Sequence, residues 1–204
     1  SSGDGRIILT GTSTGDTSGP TGIVLYGSTT ISSVGGNIDI TATSTNDYGF
    51  RIADNTGITT TDGNITITAS SSTLEDIYGD GNAISSTNNN VTLNVNDIYL
   101  DGMVSVSAGD TLSIFTKDPT TTIGLGGGIG VLNLNTVELS KLSAGNKVVI
   151  GESGVQTGDM DVDAWDLSDT NFDVEFYAND INMGGITMGT GNILVHAQDN
   201  GVDT

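Results

Sequence analysis

The sequence predicts an all-β chain, wound as a parallel β-helix (β-solenoid) in a single elongated domain. Three observations carry this expectation. Short alternating runs of Ile, Val and Leu recur along the chain, they recur as an internal repeat of roughly 20–30 residues, and no convincing helix separates them. A chain with 35% hydrophobic residues, 30 Gly and 2 Pro would also suit disorder. Its apolar residues are patterned and not scattered, which argues for a packed core.

The repeat shows best in one pair of units. Gly36-Asn37-Ile38-Asp39-Ile40-Thr41-Ala42 is echoed by Gly63-Asn64-Ile65-Thr66-Ile67-Thr68-Ala69, 27 residues on. Upstream of each lies a second shared strand, Gly22-Ile23-Val24-Leu25 and Gly49-Phe50-Arg51-Ile52. Arg6-Ile7-Ile8-Leu9 precedes the pair. Looser copies follow at Asn90-Val91-Thr92-Leu93, Thr111-Leu112-Ser113-Ile114, Lys147-Val148-Val149-Ile150, Asn171-Phe172-Asp173-Val174 and Asn192-Ile193-Leu194-Val195. Alternation puts Ile38 and Ile40 on one face and Asp39 and Thr41 on the other. Phe172 and Phe176 share a face with Val174 and read as core. Gly, Asn and Asp-Gly separate the strands and supply corner conformations.

Asn37, Asn64, Asn90, Asn171 and Asn192 each stand just before a strand, so they are expected to be corner or ladder residues. Thr136–Leu142 is the main helix candidate, one turn at a corner, ended by Gly145. The chain reads as one solenoid over 1–204. Gly-Asn-Ile-Thr repeats fill 1–110, and a glycine-run module with continuing strands fills 111–204. It opens at Ser1-Ser2-Gly3 and closes at Asp203-Thr204 in mid-pattern, so it is expected to be an internal piece of a longer protein.

Charge excludes some functions. With 25 acidic and 5 basic residues, net −20, the chain lacks the basic footprint that nucleic acid requires. No apolar run approaches the about 18 residues of a membrane helix. Without cysteine, neither disulfides nor thiol chemistry enter.

The units at 22–42 and 49–69 resemble repeats of filamentous-haemagglutinin-type bacterial proteins. Thr122-Ile123-Gly124-Leu125-Gly126-Gly127-Gly128, followed by Gly130-Val131-Leu132-Asn133-Leu134, Glu138-Leu139 and Val149-Ile150-Gly151, is similar to a module of giant repetitive bacterial exoproteins. The resemblance implies a right-handed helix, an extracellular or cell-surface place, and a role in adhesion or surface architecture.

Catalytic groups are sparse. Arg6, Arg51, Lys117, Lys141 and Lys147 are far apart in sequence, and His196 is the only histidine. No serine or cysteine triad can be assembled from them, and His196 is expected to face solvent on a strand. Asp159, Asp161 and Asp163 alternate, so all three could share one strand face. They are the candidate metal residues, with calcium as the hard cation that oxygen ligands suit. Asp76 with Asp80, and Asp166 with Asp169, are looser pairs. Gly124–Gly130 lacks the Lys-Ser/Thr of a phosphate loop and reads as a close-packing or corner element.

The expected role is therefore a structural or adhesive rod, or a fibre-forming segment, and not an enzyme; no cofactor is expected. The alternatives are a carbohydrate-binding or carbohydrate-cleaving β-helix and a calcium-dependent surface assembly module. Expected partners are neighbouring repeats of the same protein, copies stacked end to end, and a cell-surface or glycan ligand. Nucleic acid and direct membrane insertion are not expected.

Overall fold

A computed structural model describes residues 3–15, 20–81, 83–103 and 105–198. Among the described residues the protein is all-β, with parallel sheets and one helical turn. Strands are dealt to the sheets in rotation. The first round is β1 (Ile7–Ser13), β2 (Ile23–Leu25) and β3 (Thr30–Ser33). The second is β4 (Ile38–Ser44), β5 (Phe50–Ala53) and β6 (Gly57–Thr60). The third is β7 (Ile65–Ser71), β8 (Ile77–Asp80) and β9 (Ala83–Ser86). The fourth is β10 (Val91–Asn94), β11 (Ile98–Tyr99) and β12 (Ser105–Ala108). After β13 (Thr111–Phe115) the rotation changes. β14 (Ile123–Leu125), β15 (Leu132–Leu134) and α1 (Thr136–Leu139) intervene before β16 (Leu142–Ala144). The remaining strands are β17 (Lys147–Ile150), β18 (Met160–Leu167), β19 (Asp173–Ala178), β20 (Ile181–Met188) and β21 (Ile193–Ala197).

Sheet I takes one strand from every round, in the order β1-β4-β7-β10-β13-β17-β19-β21. Sheet II is β2-β5-β8-β11, sheet III is β3-β6-β9-β12-β16, and sheet IV is β15-β14-β18-β20. Neighbours in each sheet are parallel. The residues between successive sheet I strands range from 19 (Val174 to Ile193) to 36 (Leu112 to Val148). The longest interval holds β14, β15 and α1.

Parallel pairing in register stacks like on like, and this builds the core. Ile38, Ile65, Val91, Leu112, Val148 and Val174 form one column. Ile40, Ile67, Leu93, Ile114, Ile150 and Phe176 form the next. Every member of both is buried. Phe50, Ile77 and Ile98 line the inside of sheet II, and Ile58, Ile84, Val106 and Leu142 that of sheet III. The alternation expected at Ile38–Thr41 holds, as does the inward placing of Phe172, Val174 and Phe176.

Corners are closed by side chains. The Asn37 side-chain oxygen accepts from the Asn64 N–H at 2.9 Å, Asn64 from that of Asn90 at 3.1 Å, and Asn90 from that of Thr111 at 3.0 Å. The expected asparagine ladder is thus real for Asn37, Asn64 and Asn90. Asn171 is not its next member. The strand slips by two residues, so Asp173 occupies the place and accepts from the Asn192 N–H at 2.7 Å. A slip of two keeps the same face inward. On the other corner, the hydroxyls of Ser33, Thr60 and Ser86 each accept a backbone N–H three residues on.

The helix is shorter than the sequence suggested. Asn135 caps it and Glu138 completes a capping box, which satisfies the first free N–H groups. It stops at Leu139, and Leu142 already pairs with Val106 in sheet III.

Candidate functional site

The most elaborated surface lies on the outer side of sheet IV, where the glycine run folds back over the strands. Gly126 and Gly127 have φ of 66° and 112°, in the left-handed region where a side chain is strained. A Cβ on Gly126 would collide with the Ala164 carbonyl, and one on Gly128 with that of Asp161. Gly124 lies beneath the loop, and its own Cβ would strike Gly128. The loop is pinned by side chains. Asn133 Nδ2 donates to the Gly128 carbonyl at 2.8 Å, and the Ile129 N–H donates to Asp161 Oδ2 at 2.8 Å. Glycine is needed because the loop's backbone touches the sheet's backbone.

This packing holds Ile129 85% exposed and Val131 62% exposed. Beside them runs a groove of about 380 Å3, lined by Thr122, Ile129, Asp159, Met160, Asp161, Asp180 and Asn182. Two of the three candidate aspartates therefore come together, and Asp180 joins them. Asp159 precedes β18 and accepts from Asn179 Nδ2 at 2.9 Å. Asp161 is paired across to Asn182, whose Nδ2 donates to it at 2.7 Å. Asp163 does not line the groove and stands exposed beside Gly127. Among the described residues, no three carboxylate or imidazole groups gather where they could hold a metal ion.

The chemistry of the groove is that of a cation or hydroxyl acceptor. The Ile129 N–H and the Asn182 amide hold the Asp161 carboxyl below its usual value. A glycosidase acid needs the opposite shift.

Two further clusters on the surface were not apparent in sequence. Val24, Arg51, Tyr78 and Tyr99 form the outward column of sheet II. The rings of Tyr48 and Tyr78 lie 4.6 Å apart and those of Tyr78 and Tyr99 5.0 Å, with the Arg51 guanidinium 5.5 Å from Tyr78. On sheet I, Lys147 Nζ pairs with Glu175 at 2.9 Å, Tyr177 donates to Glu175 at 3.2 Å, and His196 stacks on Tyr177 at 4.5 Å. His196 faces outward as expected, but the stack half-buries it.

Of the looser acidic pairs, Asp76 is buried at a corner while Asp80 is exposed. Asp76 accepts from the N–H groups of Ser71 and Asn96 at 2.5 and 2.6 Å. Burial raises its pKa, partly offset by those bonds and by Lys117. Asp97, stacked against it, is pushed by burial up to about 6, with Glu75 and Asp76 adding repulsion and the Ile98 N–H opposing. Burial also raises Glu138 against the N–H groups of Leu100 and Asn135. A carboxyl raised in the folded state binds its proton more tightly there, so its stabilising contribution is full at low pH and is lost as pH rises through the folded value. The melting temperature is expected to rise as pH falls from 7.5 to 5, and Asp97→Asn to flatten that rise. A falling melting temperature over this range would contradict the assignment. Below about pH 4 the trend reverses, because hydrogen bonds hold Asp118, Asp161 and Asp166 low.

No family model, curated protein or solved structure matches the chain.

Proposed function

We propose that the chain is a segment of right-handed β-solenoid that serves as a structural or adhesive rod of a large extracellular or cell-surface bacterial protein. The observation that carries the reading is sheet I, where eight strands from successive rounds pair in parallel. Such a sheet has a core that extends indefinitely by repetition, and each round touches only its neighbours. The resemblance of 22–42 and 49–69 to filamentous-haemagglutinin-type repeats supports the extracellular placement. The acidic surface suits a protein that must stay soluble.

The tyrosine column with Arg51 favours one second reading, a glycan-contacting face on the same rod, because aromatic rings and a guanidinium are common anchors at binding surfaces. A calcium-dependent assembly is the reading supported least, since among the described residues no three carboxylates gather closely enough to hold a metal ion.

At about 4.8 Å per strand, eight strands span roughly 35 Å. In the larger chain proposed here, shape becomes diagnostic. Negative-stain images of that chain are expected to show rods of constant width, lengthening by about 4.8 Å per round. Compact particles would overturn the rod.

A further inference from the structure

We infer that the sheet IV groove and its aliphatic crest form a docking site for a basic polypeptide segment in which cationic and aliphatic side chains alternate. This rests on the adhesive reading above. Ile129 and Val131 are displayed by a loop in which Gly126, Gly128 and Gly130 lie in close contact with neighbouring backbone. Two exposed aliphatic side chains two residues apart offer apolar surface beside a charged groove. Next to Ile129 the groove carries Asp159, Asp161 and Asp180, with Thr122 and Asn182 and no basic side chain. Asp161 is the pin of the loop, through its bond to the Ile129 N–H. Asp161 thus ties the acidic groove to the crest.

Charge selects the occupant. A second copy of this chain carries net −20 and only five basic residues, so like charges oppose self-docking here. A partner with lysine or arginine on one edge meets the three carboxylates. Its intervening aliphatic side chain covers Ile129 and Val131. Neutral glycans would use the groove's acceptors and leave the crest in water.

The test compares two synthetic peptides of equal charge, Lys-Leu-Lys-Leu-Lys and Lys-Ser-Lys-Ser-Lys, titrated by calorimetry into the 204-residue chain. The leucine peptide is expected to bind about tenfold more tightly, the worth of covering one aliphatic side chain. Ile129→Ser is expected to abolish that difference without changing the melting temperature, since the side chain is exposed. Asp159→Asn with Asp180→Asn is expected to weaken both peptides about tenfold. Removing the same charge at Asp62 and Asp110 is expected to change either by less than about twofold. Equal binding of the two peptides, or equal loss from the remote pair, would reduce the effect to diffuse attraction and overturn the site. Tight binding of a chitosan oligomer, sensitive to Asp159 and Asp180 but indifferent to Ile129, would assign the groove to a glycan instead. These affinities do not depend on particle shape, so failure of the rod in images and failure of the groove remain distinguishable.

Discussion

Phe50→Ala is expected to destabilise the fold by about 3–5 kcal/mol, the cost of removing a fully buried aromatic and leaving its cavity. Phe50 has 0% exposure and stacks on Ile77 in the inward column of sheet II, with Ile23 on its other side. A stacked core cannot collapse onto the gap without moving the strands above and below, which are fixed by their own ladders. Phe50→Leu keeps most of the volume and is expected to cost under about 1.5 kcal/mol. Tyr26→Ala, at a side chain 68% exposed, is expected to fall within about 0.5 kcal/mol of the parent. Chemical denaturation measures all three. A Phe50→Ala variant as stable as Tyr26→Ala would mean that the inward column is not packed.

Gly126→Ala is expected to cost about 3 kcal/mol. Part is the left-handed backbone, about 1–2 kcal/mol for any side chain, at φ 66°. The remainder is the collision of the new Cβ with the Ala164 carbonyl, an overpacking cost of about 1–3 kcal/mol. Gly27→Ala separates the two contributions. Its φ is 75°, yet nothing lies within 4 Å of the added carbon, so only the backbone cost applies. Equal losses from the two substitutions would mean that the glycine loop does not lie against β18. The same loop shapes the proposed docking groove, so Gly126→Ala should also abolish the preference for the leucine peptide in molecules that remain folded.

The strands were legible where repetition was regular. The 27-residue offset between Asn37 and Asn64 is the observed register of Ile38 on Ile65, and the inward and outward assignments of those strands follow from alternation alone. Legibility fell where corner lengths varied. Asn171 looked like a ladder member because it precedes an alternating run. Pairing with Lys147 instead places Asp173 there, and only the sheet's hydrogen bonds decide between registers two residues apart.

The candidate site was legible in part for the same reason. Asp159 and Asp161 stood out by alternation, but Asn182 reaches the groove from β20, one sheet position away, and Asp180 from just before it. Nothing local marks them. Ile129 looked like one apolar residue in a glycine run. Its exposure follows from the loop lying flat on β14 and β18, a tertiary contact. The tyrosine stack was hidden because Tyr48 sits outside a strand, and the intervals to Tyr78 and Tyr99 differ.

The claim on which everything else depends is parallel stacking of successive rounds. Paired cysteines joined by a short thiol cross-linker test it. Thr41 and Thr68 are register partners in sheet I, and Ser32 and Thr59 are partners in sheet III. Thr41→Cys with Thr68→Cys, and Ser32→Cys with Thr59→Cys, are expected to cross-link rapidly, because partners on neighbouring strands lie about 4.8 Å apart. Ser32→Cys with Thr41→Cys is close in sequence but divided between two sheets, and is expected to react slowly. Fast reaction of that third pair and slow reaction of the first two would mean hairpin pairing, and would contradict the stacked architecture.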